Sequence, residues 1–202
     1  MNSRTLRLKL CYIRLMIITA GIDEAGRGPL SGPVTAAAVI LPESFDTSIL
    51  NDSKKLSEKK RTAAAGIIME YAVSFGIGWV WPAEIDEINI HNASLLAMKR
   101  AAEELNCIVD LYLVDGKFIP QLGGDARAII KGDATESCIM AASILAKTAR
   151  DRWMIRYSWI EPRWEFDRHK GYPTRRHAEL CRIHGPSPIQ RKSFNVPYGC
   201  PG

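Results

Sequence analysis

Along the chain the period of apolar and polar positions changes several times, and each change marks an element. Leu6, Leu8 and Leu10 alternate with Arg7 and Lys9, the pattern of a short edge strand or an untidy leader. Met16–Ile22 is an apolar run, and Val34–Leu41 is a second one of strand length. With glycines and prolines between them, the two predict a hairpin-like pair. Ser57 stands where a helix of about one and a half dozen residues needs its N-cap. Val73, Phe75, Ile77 and Trp79 then alternate with small residues, which predicts a half-buried strand. After Pro82, the acids Glu84, Asp86 and Glu87 open a helix, and Lys99 and Arg100 fall in its later turns, as the helix dipole prefers. Ile88, Leu95 and Ala102 mark its expected buried stripe. Leu111–Val114 and Ala126–Ile130 predict two more short strands, ending at Asp115-Gly116 and at Lys131-Gly132-Asp133. A strong helix follows, with Cys138, Ala142, Leu145, Ala149 and Trp153 on one face. Early strands followed by strands alternating with helices predict an α/β fold, a mixed sheet flanked by helices.

Composition adds limits. The chain has 202 residues with 27 Lys+Arg against 22 Asp+Glu, a net charge of +5, and 47% hydrophobic residues, which excludes a disordered or low-complexity chain. Five scattered cysteines with no CxxC pair speak against a zinc site or a disulfide framework. No apolar run approaches the ~18–20 residues of a membrane span. Leu6–Ile22 is broken by Arg7, Lys9 and Arg14, so it is a poor secretory core. A soluble, cytoplasmic protein is expected. The charge is unevenly spread: residues 1–15 carry four basic residues and no acid, and Arg163–Lys192 carry a net +5, so the body between them is acidic.

Three acidic positions share one context. Asp23-Glu24, Asp115 and Asp133 each follow a predicted strand and lie near glycine. In open α/β sheets ligands bind beyond the carboxyl ends of the strands. If these strands are neighbours, their carboxylates repel one another unless a cation intervenes, and an all-oxygen donor set suits Mg²⁺ or Mn²⁺. Taken singly, each is equally a plain turn. Asp23 and Glu24 are adjacent, so a regular strand turns their side chains to opposite faces. Both serve one site only if the strand distorts, or if one contributes through its backbone carbonyl. Gly26-Arg27-Gly28 allows close approach of backbone amides to a sugar or phosphate, or else forms a tight turn between two strands. Its glycine spacing fails the dinucleotide fingerprint, and Walker A and GxSxG are both absent. Lys54 and Lys55 are either phosphate contacts or solvated loop lysines. Tyr172, set in a basic tract with His169, Lys170, Arg175 and Arg176, is either a stacking residue for nucleic acid or a packing residue in a Gly-Tyr-Pro turn.

Six segments in order carry a resemblance. They are Gly21-Ile22-Asp23-Glu24-Ala25-Gly26-Arg27-Gly28-Pro29, Asp52-Ser53-Lys54-Lys55-Leu56-Ser57, Val114-Asp115-Gly116, Lys131-Gly132-Asp133, Ala141–Lys147 and His169-Lys170-Gly171-Tyr172-Pro173-Thr174. Together they closely resemble bacterial ribonuclease HII, from about Ile18 to about Phe194. The resemblance implies a ribonuclease H-like catalytic domain over 16–158, a basic C-terminal helical and loop extension over 159–202, and a basic segment over 1–15 outside the similarity. Met16 is the expected native start. The implied activity is hydrolysis of the RNA strand of RNA–DNA hybrids and cleavage 5′ of ribonucleotides embedded in duplex DNA, leaving 3′-hydroxyl and 5′-phosphate ends. Asp23, Glu24, Asp115 and Asp133 are implied as the catalytic, metal-binding acids for two Mg²⁺ or Mn²⁺ ions. Gly26, Arg27 and Gly28 are implied to sense the 2′-hydroxyl, Tyr172 to stack on the deoxyribose 3′ of the cut, and Lys54 and Lys55 to hold phosphates. A monomer is expected. Cys138, Met140 and Gln190 depart from the family pattern. The alternatives are ribonuclease HIII, which carries an additional N-terminal substrate-binding domain, and a non-catalytic nucleic-acid-binding module on the same fold.

Overall fold

The computed structural model describes residues 17–50, 53 and 56–194. The basic segment 1–15, Met16 and the two lysines Lys54 and Lys55 lie outside the described residues. Five strands form one mixed sheet: β1 (Thr19–Ala25), β2 (Val34–Ile40), β3 (Ser74–Val80), β4 (Leu111–Asp115) and β5 (Asp125–Ile129). Their spatial order is β3-β2-β1-β4-β5. The first two predicted strands do pair antiparallel, with Gly21 opposite Val39 and Ala25 opposite Thr35. β3 continues that meander antiparallel to β2, whereas β4 and β5 add on the other side in parallel. β1 runs three residues further than the apolar run suggested. Asp23 and Glu24 are strand residues, opposite Ala37 and Ala36, and do not follow the strand.

Three helices cover the two faces. α1 (Glu58–Tyr71) begins at Ser57, whose hydroxyl accepts a hydrogen bond from the Lys60 N–H as its cap. α2 (Pro82–Glu103) packs with Ile22, Val34, Ala36, Ala38 and Val114 on one side of the sheet. α3 (Ser137–Ile160) packs with α1, Ala37 and Val39 on the other. β2, sandwiched between both layers, is buried at every position, and its run of alanines lets the helices close on it.

Both long helices bury a stripe that only partly coincides with the one the spacing predicted: Ala102 of α2 and Ala142 and Leu145 of α3 are buried as expected, and the other predicted positions are not. In α2 the fully buried positions include Ala93, Ala97 and Ala101, while Ile88 and Leu95 lie at the margin of the core. The cause is close approach: a Cβ placed on Gly78 of β3 would stand 2.0 Å from the Ala97 carbonyl oxygen, so small residues face each other there. α2 also breaks at Asn89, which has φ 65°. In α3 the buried face includes Ile139, Ala142, Ala146, Arg150, Met154 and Ser158, whereas Cys138, Ala149 and Trp153 are half-buried. Polar residues occupy this face, so hydrophobic periodicity points beside it. Two short helices follow among the described residues, α4 (Phe166–His169) and α5 (Arg175–His184). They enclose a small cluster of Met154, Trp164, Phe166, Leu180 and Cys181. Among the described residues Cys107 and Cys138 are free thiols, and no helix is long and apolar enough to cross a membrane.

Candidate active site

Parallel pairing of β1 with β4 builds the centre. The ladder's last pair is Ile22 with Val114, so the next residues, Asp23 and Asp115, stand side by side at the strands' carboxyl ends. Ile22 and Val114 both face the α2 layer. Strand alternation therefore turns Asp23 and Asp115 together toward α3, and Glu24 toward α2. The regular register through Ala25 shows that β1 does not distort here. Beyond β5, Lys131 takes the left-handed conformation and a 3₁₀ turn (Gly132–Ala134) follows, bringing the Asp133 N–H to 3.3 Å from Asp115 Oδ1. The Glu24 N–H donates to Asp23 Oδ1 at 2.7 Å. All four predicted acids thus meet at one end of the sheet.

Their electrostatics are those of crowded acids. Burial pushes the Asp23 carboxyl well above the usual carboxylate range, the charges of Glu24 and Asp115 push it further, and a hydrogen bond from Ser143 opposes them. Asp23 is only 5% exposed. Burial also raises Glu24, against the pull of the Arg27 guanidinium, whose Nη1 lies 3.2 Å from Glu24 Oε1. Such a set favours a cation, and its oxygen-only donors fit a hard divalent ion. Among the described residues no group of three His, Cys, Asp or Glu side chains stands arranged to hold one already.

The glycine loop beside the acids is held from beneath by two fully buried arginines. Arg191 donates to the carbonyls of Gly26 (2.6 Å), Gly32 (2.9 Å) and Arg27 (3.1 Å). Arg150 donates to those of Pro33 (2.9 Å), Ser31 (3.1 Å) and Lys170 (3.0 Å), which ties the glycine loop to the Tyr172 loop. Desolvation lowers both guanidinium pKa values, Arg191 to about 9. Gly26 has φ +93°, and a Cβ there would come within 2.2 Å of Arg150 Nε. A Cβ on Gly28 would meet nothing within 4 Å. Internal packing therefore explains the first glycine and leaves open space at the second.

Tyr172 sits across an open cleft from the acids, lined by Glu24, Gly26, Gly28, Ser53, Ser143 and Lys147. Lys147 Nζ lies 5.0 Å from the Tyr172 ring centroid and 2.9 Å from Asp151, which also binds Arg61. Arg61 donates to the Ser53 carbonyl at 2.9 Å, and the Ser53 hydroxyl meets Ser143 at 2.9 Å, so this network anchors Ser53. Sequence reading missed Ser143, Lys147, Arg150 and Arg191 as site residues. Ser143 and Lys147 lay inside a quoted motif, but nothing in their spacing reveals which helix face meets the acids. Of the departing residues, Gln190 accepts a hydrogen bond from the Ser31 hydroxyl at 2.8 Å. Met140 packs at the margin of the core, and burial raises the Cys138 thiol to about 11.

A sequence model described as Ribonuclease HII matches residues 20–196. The chain belongs to the ribonuclease HII family. It is 54% identical over 194 residues to Ribonuclease HII of Treponema denticola, covering 87% of this chain and 97% of that one. It is equally 54% identical to Ribonuclease HII of Idiomarina loihiensis over 175 residues, covering 87% and 94%. Among solved structures, ribonuclease H2 from Pyrococcus horikoshii superposes with a TM-score of 0.75 at 25% identity, covering 89% of this chain and 95% of that one. Ribonuclease HIII in complex with Mn²⁺ superposes at 0.66 with 17% identity; the match takes in 84% of this chain and 63% of that one, and it shares the fold. Membership makes this chain a hydrolase, a metal-dependent endoribonuclease of the ribonuclease H type.

Proposed function

We propose that this ribonuclease HII family member cleaves the RNA strand of RNA–DNA hybrids and also cuts 5′ of single ribonucleotides in duplex DNA, leaving 3′-hydroxyl and 5′-phosphate ends. The observation that carries the reading is the meeting of Asp23, Glu24, Asp115 and Asp133 beside a glycine loop with open space at Gly28. Asp23, Asp115 and Asp133 would hold two Mg²⁺ or Mn²⁺ ions together with Glu24, which contributes through its backbone carbonyl because its side chain turns to the other face of β1. When bound, such a pair activates water and steadies the leaving oxygen in phosphodiester hydrolysis. The chain's own residues position the substrate. The backbone of Gly26-Arg27-Gly28 faces the 2′-hydroxyl, the group that distinguishes RNA from DNA. Buried Arg191 holds the Gly26 and Arg27 carbonyls and buried Arg150 holds those of Ser31 and Pro33 further along the loop, so less ordering is left for the moment of binding. Tyr172 stacks on the deoxyribose 3′ of the cut, its ring flanked by Lys147 and Arg150. Lys54 and Lys55 hold phosphates.

The test is a DNA duplex bearing one ribonucleotide, incubated with Mg²⁺ or Mn²⁺, with both product ends identified. Cleavage 5′ of the ribonucleotide that disappears in Asp115→Asn is expected. Tight binding without cleavage in either metal overturns the proposal in favour of a binding module.

A further inference from the structure

The proposed chemistry uses one side of the acid cluster, yet the cleft continues past it. Glu24 and Arg27 also line a second opening, walled by His91, Asp115, Lys117 and Phe118. The two clefts share Glu24 and Arg27 and so adjoin, with Glu24 in the middle. A polynucleotide cut at that middle leaves it in both directions, and only one direction leads to Tyr172.

The second half is built from side chains suited to a nucleotide. Gly116, at φ +98°, turns the chain directly after Asp115 and projects Lys117 and Phe118. Phe118 is 59% exposed, an apolar ring held at the groove's lip. Its ring partner among the described residues is His91, edge-on, with centroids 4.6 Å apart at 77°. His91 is placed by the break in α2. Asn89 takes φ 65°, and its side-chain oxygen accepts from the N–H groups of His91 (3.0 Å) and Asn92 (3.1 Å), restarting the helix with His91 in its first turn. A cation beside exposed aromatic rings, continuous with an endonuclease centre, matches the phosphate and the base or sugar of a single strand.

We infer that His91, Lys117 and Phe118 form a subsite for the ribonucleotide-containing strand on the 5′ side of the cut, Lys117 on a phosphate and the Phe118–His91 pair against a sugar or base. The inference rests on the proposed placement of Tyr172 3′ of the cut.

The experiment uses two duplexes with one ribonucleotide each and the same 3′ flank. One has a long 5′ flank; in the other the strand starts one nucleotide before the ribonucleotide. The unaltered enzyme is expected to show a KM at least about fivefold higher on the short flank, with kcat retained. The double variant Lys117→Ala with Phe118→Ala is expected to raise KM on the long flank by a similar factor, to add little on the short flank, and to keep the wild-type thermal midpoint. His91→Leu is expected to give a smaller change of the same pattern. Normal cutting with equal losses on both flanks, or no loss, overturns the subsite and leaves the proposed function standing. A cut anywhere but 5′ of the ribonucleotide overturns the proposed function, and the assignment of this half to the 5′ side falls with it.

Discussion

Gly26 and Gly28 look alike in the sequence and differ in what their missing side chains leave room for. Gly26→Ala forces a left-handed alanine against Arg150 and is expected to cost about 2 kcal/mol or more in urea unfolding. Gly28→Ala is expected to shift stability by no more than about 0.5 kcal/mol while reducing cleavage at an embedded ribonucleotide, because its Cβ points into the space proposed for the sugar. An equal stability loss in both variants would contradict this division. Tyr172 offers a second residue-level test. Tyr172→Ala is expected to slow cleavage about tenfold on a single-ribonucleotide duplex, and less on a long hybrid whose other contacts compensate. Matched losses on the two substrates would count against stacking.

At the scale of elements, the segments proposed to touch substrate are far apart in the chain, and several are joined by buried polar groups. Arg191 comes from the chain's last described residues, yet it holds the carbonyls of Gly26 and Arg27. Arg191→Met leaves the buried carbonyls of Gly26 and Gly32 and the partly buried one of Arg27 without that donor, and a loss of roughly 3 kcal/mol is expected by urea titration. A second link runs from the Tyr172 carbonyl through His177 to Ser31 and Gln190. These connections explain what sequence reading missed. Strand existence, the Ser57 cap and the acid positions follow from local pattern, because period and turn chemistry act between near neighbours. The buried stripe of α3 does not, since Ser143, Arg150 and Asp151 face inward only because distant carbonyls, hydroxyls and cations satisfy them there.

For the whole molecule, the small C-terminal cluster sets a pH limit on stability. His169 and His177 stack at 4.4 Å inside it, and burial, helped by the neighbouring imidazole, lowers His169 to about 4. Burial lowers His177 as well. A folded pKa below the unfolded value of about 6.5 means that the unfolded chain binds the proton first. This contribution is full above about pH 6.5 and is lost as pH falls toward 4, by at most about 3 kcal/mol from His169. Urea unfolding at pH 7 and pH 5 should show a smaller difference in His169→Gln than in the wild type. The crowded acids add an expected dependence of stability on metal. Saturating Mn²⁺ is expected to raise the thermal midpoint by binding only the folded state, and Asp23→Asn is expected to remove most of that shift.

By itself the sequence determined the element types, the mixed α/β class, the four acids and the glycine loop, since each is written in local spacing or in an ordered motif. It also determined that Asp23 and Glu24 turn to opposite faces, because a strand has a period of two. Tertiary structure alone decided that β4 lies parallel beside β1, which makes neighbours of Asp23 and Asp115 across some ninety residues of chain. It alone decided that Arg150 and Arg191 lie beneath the glycine loop, and that the groove runs past the acids to His91 and Phe118. Those facts depend on which surfaces meet when the sheet closes, and no window along the chain contains both partners.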